Sequence, residues 1–233
     1  MSRVARTSFI AGAATAEGTV VVVDVFRAFT AVAFALEAGV GRLVLAEDLD
    51  EARLLAGHLG GALLMGEEDG VKPDDFHFGN SPAEMLQGDA RGATVVHRSS
   101  AGTRAVRAAM AGRARRVLAG SLVVASATGR AVCGDGRVTV VAAGRFGTDV
   151  AGEDEACADM IAAIADGHSP DRDAALRRAF GSTAARRLSD PASTWVEPAD
   201  LGLCLAVDLF DFAMEAQDED GLVMLHRVET APD

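Results

Sequence analysis

Lysine is almost absent from this chain: of its 22 basic residues only Lys72 is a lysine, and the rest are arginine. A compact ammonium and a planar guanidinium are not interchangeable, so Lys72 is a candidate for a position where arginine does not substitute. The ordinary alternative is chance survival on a loop. Cysteine is scarce as well. Cys133, Cys157 and Cys204 lie far apart with no CxxC pair, which argues against a disulfide framework and a thiolate zinc site and fits a reducing compartment. No run of about 18 apolar residues occurs, so no membrane span is expected. The first 18 residues lack a basic stretch followed by an apolar one, so they do not read as a signal peptide, and a cytoplasmic location is expected. Positive charge is in deficit: the formal net charge is −12. Such a surface repels nucleic acid and anionic lipid, so neither is expected as a partner. Any phosphate site must then rely on local donors, helix N-termini and a metal. Several motifs are also missing. There is no G-x-G-x-x-G after the first strand, no Walker A loop and no G-x-S-x-G elbow.

What is present is an ordinary globular composition, 49% hydrophobic and 24% charged over 233 residues. That length suits one large domain or two closely packed lobes. Short apolar runs alternate with amphipathic segments. The pattern predicts strands over Thr19–Val25, Gly41–Ala46, Ala62–Met65, Ala93–His97, Arg116–Ala119 and Val138–Ala142. It predicts helices over Phe29–Ala38, Leu49–Leu59, Thr103–Ala111, Leu122–Cys133 and Glu153–Ala165, and a helix starting at Ser81-Pro82-Ala83-Glu84, which reads as a capping box with proline in the first turn. Beyond, Ser169–Leu188 and Asp200–Glu215 read as helical, Asp190–Pro198 as a loop with the only tryptophan, and Gly221–Val228 as a terminal strand. The expectation is an α/β fold: a mainly parallel or mixed sheet with helices on both faces, in two closely packed lobes. The chain is taken as one unit over 1–233, with any lobe division near 140–150.

In open α/β sheets, ligands sit beyond the carboxyl ends of the strands. The loops there hold Asp24-Val25-Phe26-Arg27, Gly66-Glu67-Glu68-Asp69-Gly70, Gly79-Asn80-Ser81-Pro82, Arg98-Ser99-Ser100-Ala101-Gly102-Thr103-Arg104, Gly120-Ser121, and Gly144-Arg145-Phe146-Gly147 leading to Glu153-Asp154-Glu155. Free amides at helix starts with Ser, Thr and Asn make a phosphate cradle. Converging carboxylates suit Mg²⁺, and arginines suit bidentate phosphate binding. Together these are the parts of metal-assisted phosphoryl hydrolysis. Each has a bland alternative. Asp24, Ser99, Ser100, Thr103 and Ser121 also fit as caps. Glu67, Glu68 and Asp69 fit as a solvated turn, Glu153–Glu155 as partners of a helix dipole, and His77 and His97 as structural histidines. Cys157 falls inside a predicted helix among acids, where its thiol is not activated.

Five stretches, in this order and spacing, resemble the 2-phosphosulfolactate phosphatase family: Val22–Thr30 (VVDVFRAFT), Gly66–Pro82 (GEEDGVKPDDFHFGNSP), Val95–Ala105 (VVHRSSAGTRA), Ala119–Ala127 (AGSLVVASA) and Val140–Ala158 (VVAAGRFGTDVAGEDEACA). The resemblance implies a Mg²⁺-dependent phosphatase that hydrolyses 2-phospho-3-sulfolactate, or a similar small phosphorylated anion, to the hydroxy acid and phosphate. It also implies a homodimer. By position it implies catalytic roles for Asp24, Arg27, Glu67, Asn80 and Asp154, with Asp24, Glu67, Glu153 and Asp154 near the metal. Lys72, Ser81, Ser100, Gly102, Thr103, Arg104 and Ser121 would hold the substrate, Arg104 facing a second anionic group. The family often has T-N-G-T where this chain has Ser100-Ala101-Gly102-Thr103, so Ala101 lacks an amide near the phosphate. That feature supports the alternative, a non-catalytic protein binding a phosphorylated anionic metabolite. A cysteine amidohydrolase on a similar sheet needs a cysteine at a strand end, and none of the three falls there.

Overall fold

The valine run Val20–Val23 is fully buried, and its alternate side chains enter different cores. Val20 and Val22 pack with Phe29, Val32 and Ala105, whereas Val21 and Val23 pack with Val140, Ala156 and Ile161. A β-branched run buried on both faces is what a central parallel strand requires. The computed structural model describes residues 3–193 and 195–230. In chain order it contains β1 (Val4–Ser8), α1 (Phe9–Thr15), β2 (Glu17–Val23), α2 (Ala28–Glu37), β3 (Arg42–Leu45), α3 (Leu49–His58), β4 (Leu63–Gly66), α4 (Pro82–Gln87), β5 (Thr94–Arg98) and α5 (Gly102–Ala111). There follow β6 (Arg113–Gly120), a 3-10 turn (Leu122–Val124) running into α6 (Ala125–Ala131), β7 (Val138–Ala142), α7 (Gly152–Ala165), α8 (Arg172–Phe180), α9 (Thr183–Leu188), α10 (Asp200–Cys204), β8 (Phe212–Glu219) and β9 (Leu222–Glu229).

The strands form one nine-stranded sheet in the order β1-β7-β2-β6-β8-β9-β3-β5-β4. The α/β class with a mixed, mostly parallel sheet therefore holds. β1, β7, β2 and β6 are mutually parallel, and so are β3, β5 and β4. Between the blocks, β6–β8, β8–β9 and β9–β3 pair antiparallel, so these reversals set the two blocks in opposite directions. A flat sheet would place their carboxyl ends on opposite edges. They meet instead: the first amide of α5, behind β5, reaches Asp24 behind β2 at 3.0 Å. The sheet therefore turns back on itself across the β8–β9 hairpin, and the strand ends face each other over a cleft.

Three expected helices are corrected. Asp200–Glu215 is not one helix: helix stops at Cys204, and β8 starts at Phe212. Ladder pairing of β8 with β6 and β9 overrides a local pattern that is ambiguous between periods 2 and 3.6. Leu122–Cys133 is broken into a 3-10 turn and a shorter helix, and the Ser169–Leu188 stretch is interrupted at Gly181 and Ser182. β1 and α1 add elements where none was expected. Among the described residues no helix is long and apolar enough to cross a membrane.

Candidate active site

The cleft between the blocks encloses about 160 Å³, the scale of a small metabolite. Asp24, Arg27, Glu67, Asn80, Ser100, Glu153 and Asp154 line it, from the segments after β2, β4, β5 and β7. Asp24 continues directly from β2. Its Oδ2 accepts from the Gly102 amide at 3.0 Å and its Oδ1 from the Ala28 amide at 3.3 Å, so one carboxylate joins the starts of α5 and α2. Gly102 has to be glycine: a Cβ there would lie 2.7 Å from Asp24 Oδ2 and 3.0 Å from the Phe29 ring. Asp154, in the first turn of α7, accepts from the Val25 amide at 2.8 Å and the Gly144 amide at 2.9 Å, pinning the loops after β2 and β7 together. Glu67 follows Gly66, whose φ of 142° and close approach to the Arg98 carbonyl admit no side chain. Its Oε1 accepts from the Ser100 amide at 2.6 Å, and its Oε2 accepts from the Gly70 amide at 2.6 Å and the Ser100 hydroxyl at 3.1 Å.

These acids are crowded out of water. Burial pushes the Asp24 carboxyl up to about 7, with Glu67 adding to the effect and Glu153 less so. Burial, then Asp24 and Glu153, hold Asp154 well above the usual carboxylate range. Burial also raises Glu153, whose Oε2 is buried without a hydrogen-bond partner. On the neighbouring wall, Asp200 is fully buried and ties three elements together. It accepts from the Arg27 guanidinium at 2.5 Å, the Ser81 hydroxyl at 2.7 Å and the Ala83 amide at 3.2 Å. Asn80 Oδ1 lies 2.8 Å from His97 Nε2, and burial, with Arg98 beside it, takes His97 from an ordinary value of 6.5 down to about 3. His97 is therefore neutral. It orients Asn80 and does not titrate near neutral pH.

The model of the 2-phosphosulpholactate phosphatase family matches residues 7–219. This chain belongs to that family. A Thermoplasma volcanium protein named "Probable 2-phosphosulfolactate phosphatase" is 29% identical over 196 residues, covering 84% of this chain and 87% of that one. A Bacillus subtilis protein of the same name is 27% identical over 211 residues, 89% and 91% of the two chains. One from Carboxydothermus hydrogenoformans reaches 44% identity, but over 108 residues, 46% of this chain and 44% of that protein.

In this family member, not every residue singled out in the sequence reaches the cleft. Gly102 contributes its amide. Ser81 stands one contact back, capping α4 through the Glu84 amide at 3.1 Å while donating to Asp200. Thr103 folds onto Ser99, exchanging hydrogen bonds of 2.9 Å with its amide and carbonyl in the first turn of α5. Ser121 is fully buried after β6 with its hydroxyl unpartnered. Lys72 faces Glu84 at 3.4 Å with its side chain 40% exposed. Arg104 pairs with Glu47 at 3.3 Å. Neither lines the cleft.

Three residues that do matter here, Asp200, Arg187 and Trp195, drew no functional reading from the sequence, and Arg145 drew only a place in a strand-end loop. Asp200 stands at a helix start and reads locally as a cap. Arg145 follows β7, and its guanidinium lies 4.4 Å from the Phe146 ring centroid. Arg187 on α9 and Arg27 lie 5.7 and 5.3 Å from the Trp195 ring. Arg145, Arg187 and Trp195 all line the cleft. A lone tryptophan in an otherwise irregular segment was the one signal that this stretch packs on something. Cys157 and Cys204 are buried in α7 and α10, and burial raises both thiols, so neither is a nucleophile.

The donor set suits a hard cation. All four acids offer oxygen, their mutual repulsion in a buried site calls for positive charge, and Glu153 Oε2 has no other partner. Among the described residues no group of His, Cys, Asp and Glu closes into a ready-made cage. Mg²⁺ needs none: it keeps waters and uses one or two carboxylates plus substrate phosphate.

Proposed function

We propose that this chain is a phosphatase that hydrolyses a small phosphate monoester of an acidic hydroxy acid, 2-phosphosulfolactate or a close analogue, with Mg²⁺ as cofactor. The observation that carries the reading is the meeting of Asp24, Glu67, Glu153 and Asp154, from separate strand ends, in one small cleft. Membership of the family and the names of the relatives above support the phosphatase class.

Phosphoryl transfer asks for alignment and charge neutralisation more than for covalent chemistry. Asp24, Glu67 and Glu153 are the residues that would hold Mg²⁺, which supplies charge neutralisation at the phosphoryl oxygens. Asp154 keeps the loops after β2 and β7 in place. Helix starts at Ala28, Ala101 and Gly152 line the cleft and aim positive dipole ends into it, so a phosphate there meets favourable potential. The Ser100 hydroxyl and the Arg27 guanidinium grip the phosphate, with Arg27 held in place by Asp200. Asn80 presents its amide nitrogen to the cleft, because His97 engages its oxygen. A carboxylate oxygen of Asp24, oriented by the Gly102 and Ala28 amides, accepts the proton of the attacking water as its oxygen bonds to phosphorus; the ester P–O bond breaks, and the hydroxy-acid oxygen leaves and takes a proton from solvent.

The test is phosphate release from a panel of small esters, phosphosulfolactate, phosphoglycolate and phospholactate among them, with Mg²⁺ and with chelator. Mg²⁺-dependent release is expected. Release that persists under chelation removes the metal from the proposal. A folded protein that releases no phosphate from any ester is a binding protein and not a phosphatase.

A further inference from the structure

Within the cleft, both signs of charge are present. The acids stand at the ends of β2 and β4 and the start of α7, and the arginines come from the loops after β2 and β7 and from α9. Arg27 is already neutralised by Asp200 at 2.5 Å. Arg145 and Arg187 are not: among the described residues each has a ring face as its contact, Phe146 at 4.4 Å and Trp195 at 5.7 Å, and no carboxylate partner. In a chain with 34 acidic and 22 basic residues, two unpaired guanidiniums lining one small cavity are conspicuous. Of the other nineteen arginines, fifteen pair with a carboxylate or a carbonyl among the described residues, Arg104 included, and the four that do not, Arg42, Arg91, Arg115 and Arg177, lie outside the cleft. Phe146 sits at φ 56°, a conformation costly for a bulky side chain, and the Trp195 ring has the guanidiniums of both Arg27 and Arg187 over it. An aromatic shelf fixes a guanidinium plane while leaving its N–H edge free for a planar or tetrahedral oxyanion.

We propose that Arg145 and Arg187 are the specificity-determining residues of the cleft, reading a second anionic group, carboxylate or sulfonate, on the carbon skeleton of the phosphorylated substrate. This rests on the phosphatase reading for its substrate, and extends it by assigning the recognition of the non-reacting end. Arg27 and the helix starts serve the phosphate; Arg145 and Arg187 serve the tail. The geometry also excludes Arg104 from that task, because it lies outside the cleft and is paired with Glu47.

Trp195 is the only tryptophan in the chain and lies against Arg187, so its fluorescence reports occupancy of this part of the cleft without turnover. Two measurements on the full chain separate this inference from the catalytic one. In the first, kcat/KM is compared for phospholactate and for isopropyl phosphate, which lacks the second anion, in wild type, Arg145→Gln, Arg187→Gln and the double variant. Each single variant is expected to lower the preference for phospholactate about tenfold, chiefly through KM, since a charge-assisted hydrogen bond contributes on the order of one decade or more in affinity. Turnover of isopropyl phosphate should change by less than about threefold. Arg187→Lys should recover only part of the loss, because an ammonium neither stacks nor forks. In the second, lactate and 3-sulfolactate are titrated against Trp195 fluorescence. Saturable binding that weakens about tenfold in Arg187→Gln is expected even if no ester is hydrolysed. An unchanged preference for phospholactate in the double variant, or a tail affinity indifferent to both arginines, overturns the assignment. Failure of wild type to turn over any ester, with arginine-dependent tail binding intact, overturns the phosphatase reading alone.

Discussion

Asp24, Glu67 and Asp154 are held at strand ends and a helix start, and both oxygens of each accept from backbone amides. Arg145 and Arg187 are held quite differently, on a loop and on a six-residue helix, with aromatic rings as their supports. The acids of the cleft are thus fixed by main chain and these two arginines by side-chain stacking. The donors are amides of the loops and helix starts after β2, β4, β5 and β7, so the acids cannot shift without disturbing those turns. Stacked guanidiniums on a turn can be re-aimed by changing a few surface residues. The difference is physical: the acids take their positions from backbone hydrogen bonds, and the two arginines take theirs from ring contacts.

The sharpest way to break this comparison is Asp24→Asn. It keeps the shape but removes the charge and replaces one acceptor oxygen by a donor, and kcat should fall about a thousandfold with the circular-dichroism spectrum unchanged. A loss comparable to that from Arg187→Gln would mean that the acids and the two arginines are not distinct in role.

Asp200→Ala should be the largest effect on stability. It leaves the Arg27 guanidinium, 7% exposed, without its partner, and deprives the Ser81 hydroxyl and Ala83 amide as well. Removing one member of a buried pair costs about 3 kcal/mol or more, to be read from urea midpoints. Little change would mean that Arg27 swings to another acid, and that it is held more loosely than its contacts imply.

Gly102→Ala places a methyl 2.7 Å from Asp24 Oδ2. Overpacking of this kind costs about 1–3 kcal/mol, and it should cut kcat more than it raises KM, because the displaced group is Asp24. Equal shifts in both would place the strain elsewhere.

The last effect is a pH slope. His97 drops from 6.5 to about 3 on folding, so the unfolded chain binds its proton first. Its contribution to stability is present above pH 6.5 and is lost as pH falls toward about 3, at up to about 1.4 kcal/mol per pH unit. The raised carboxyls of Asp24 and Asp154 act in the opposite sense, so the difference between wild type and His97→Gln, followed by urea unfolding from pH 7 to 4, isolates the histidine. Parallel curves for the two proteins would show that His97 does not carry this proton.

The strands and helices that carry the acids of the cleft were legible because their signals are local. The valine run of β2, the Ser81-Pro82-Glu84 start of α4 and the alternation of apolar runs with amphipathic segments each announce themselves within ten residues. The positions of Asp24, Glu67, Ser100 and Asp154 at the ends of those elements followed from the same reading. β8 did not, because Phe212–Glu219 takes its conformation from ladders to residues about a hundred positions earlier and in the next strand. Nor did Arg187 and Trp195, whose place in the cleft depends on how an irregular segment after α8 folds back over the Gly70 loop. The sequence by itself determined the α/β class, the order of the elements from β2 to α7 and the acids at the strand ends, since periodicity and capping are short-range. Only the tertiary structure decided that two oppositely directed blocks face one cleft, that Lys72 and Arg104 stand outside it, and that Arg145, Arg187 and Asp200 stand within or behind it. Those outcomes rest on long-range pairing and on burial, which no window of local sequence contains.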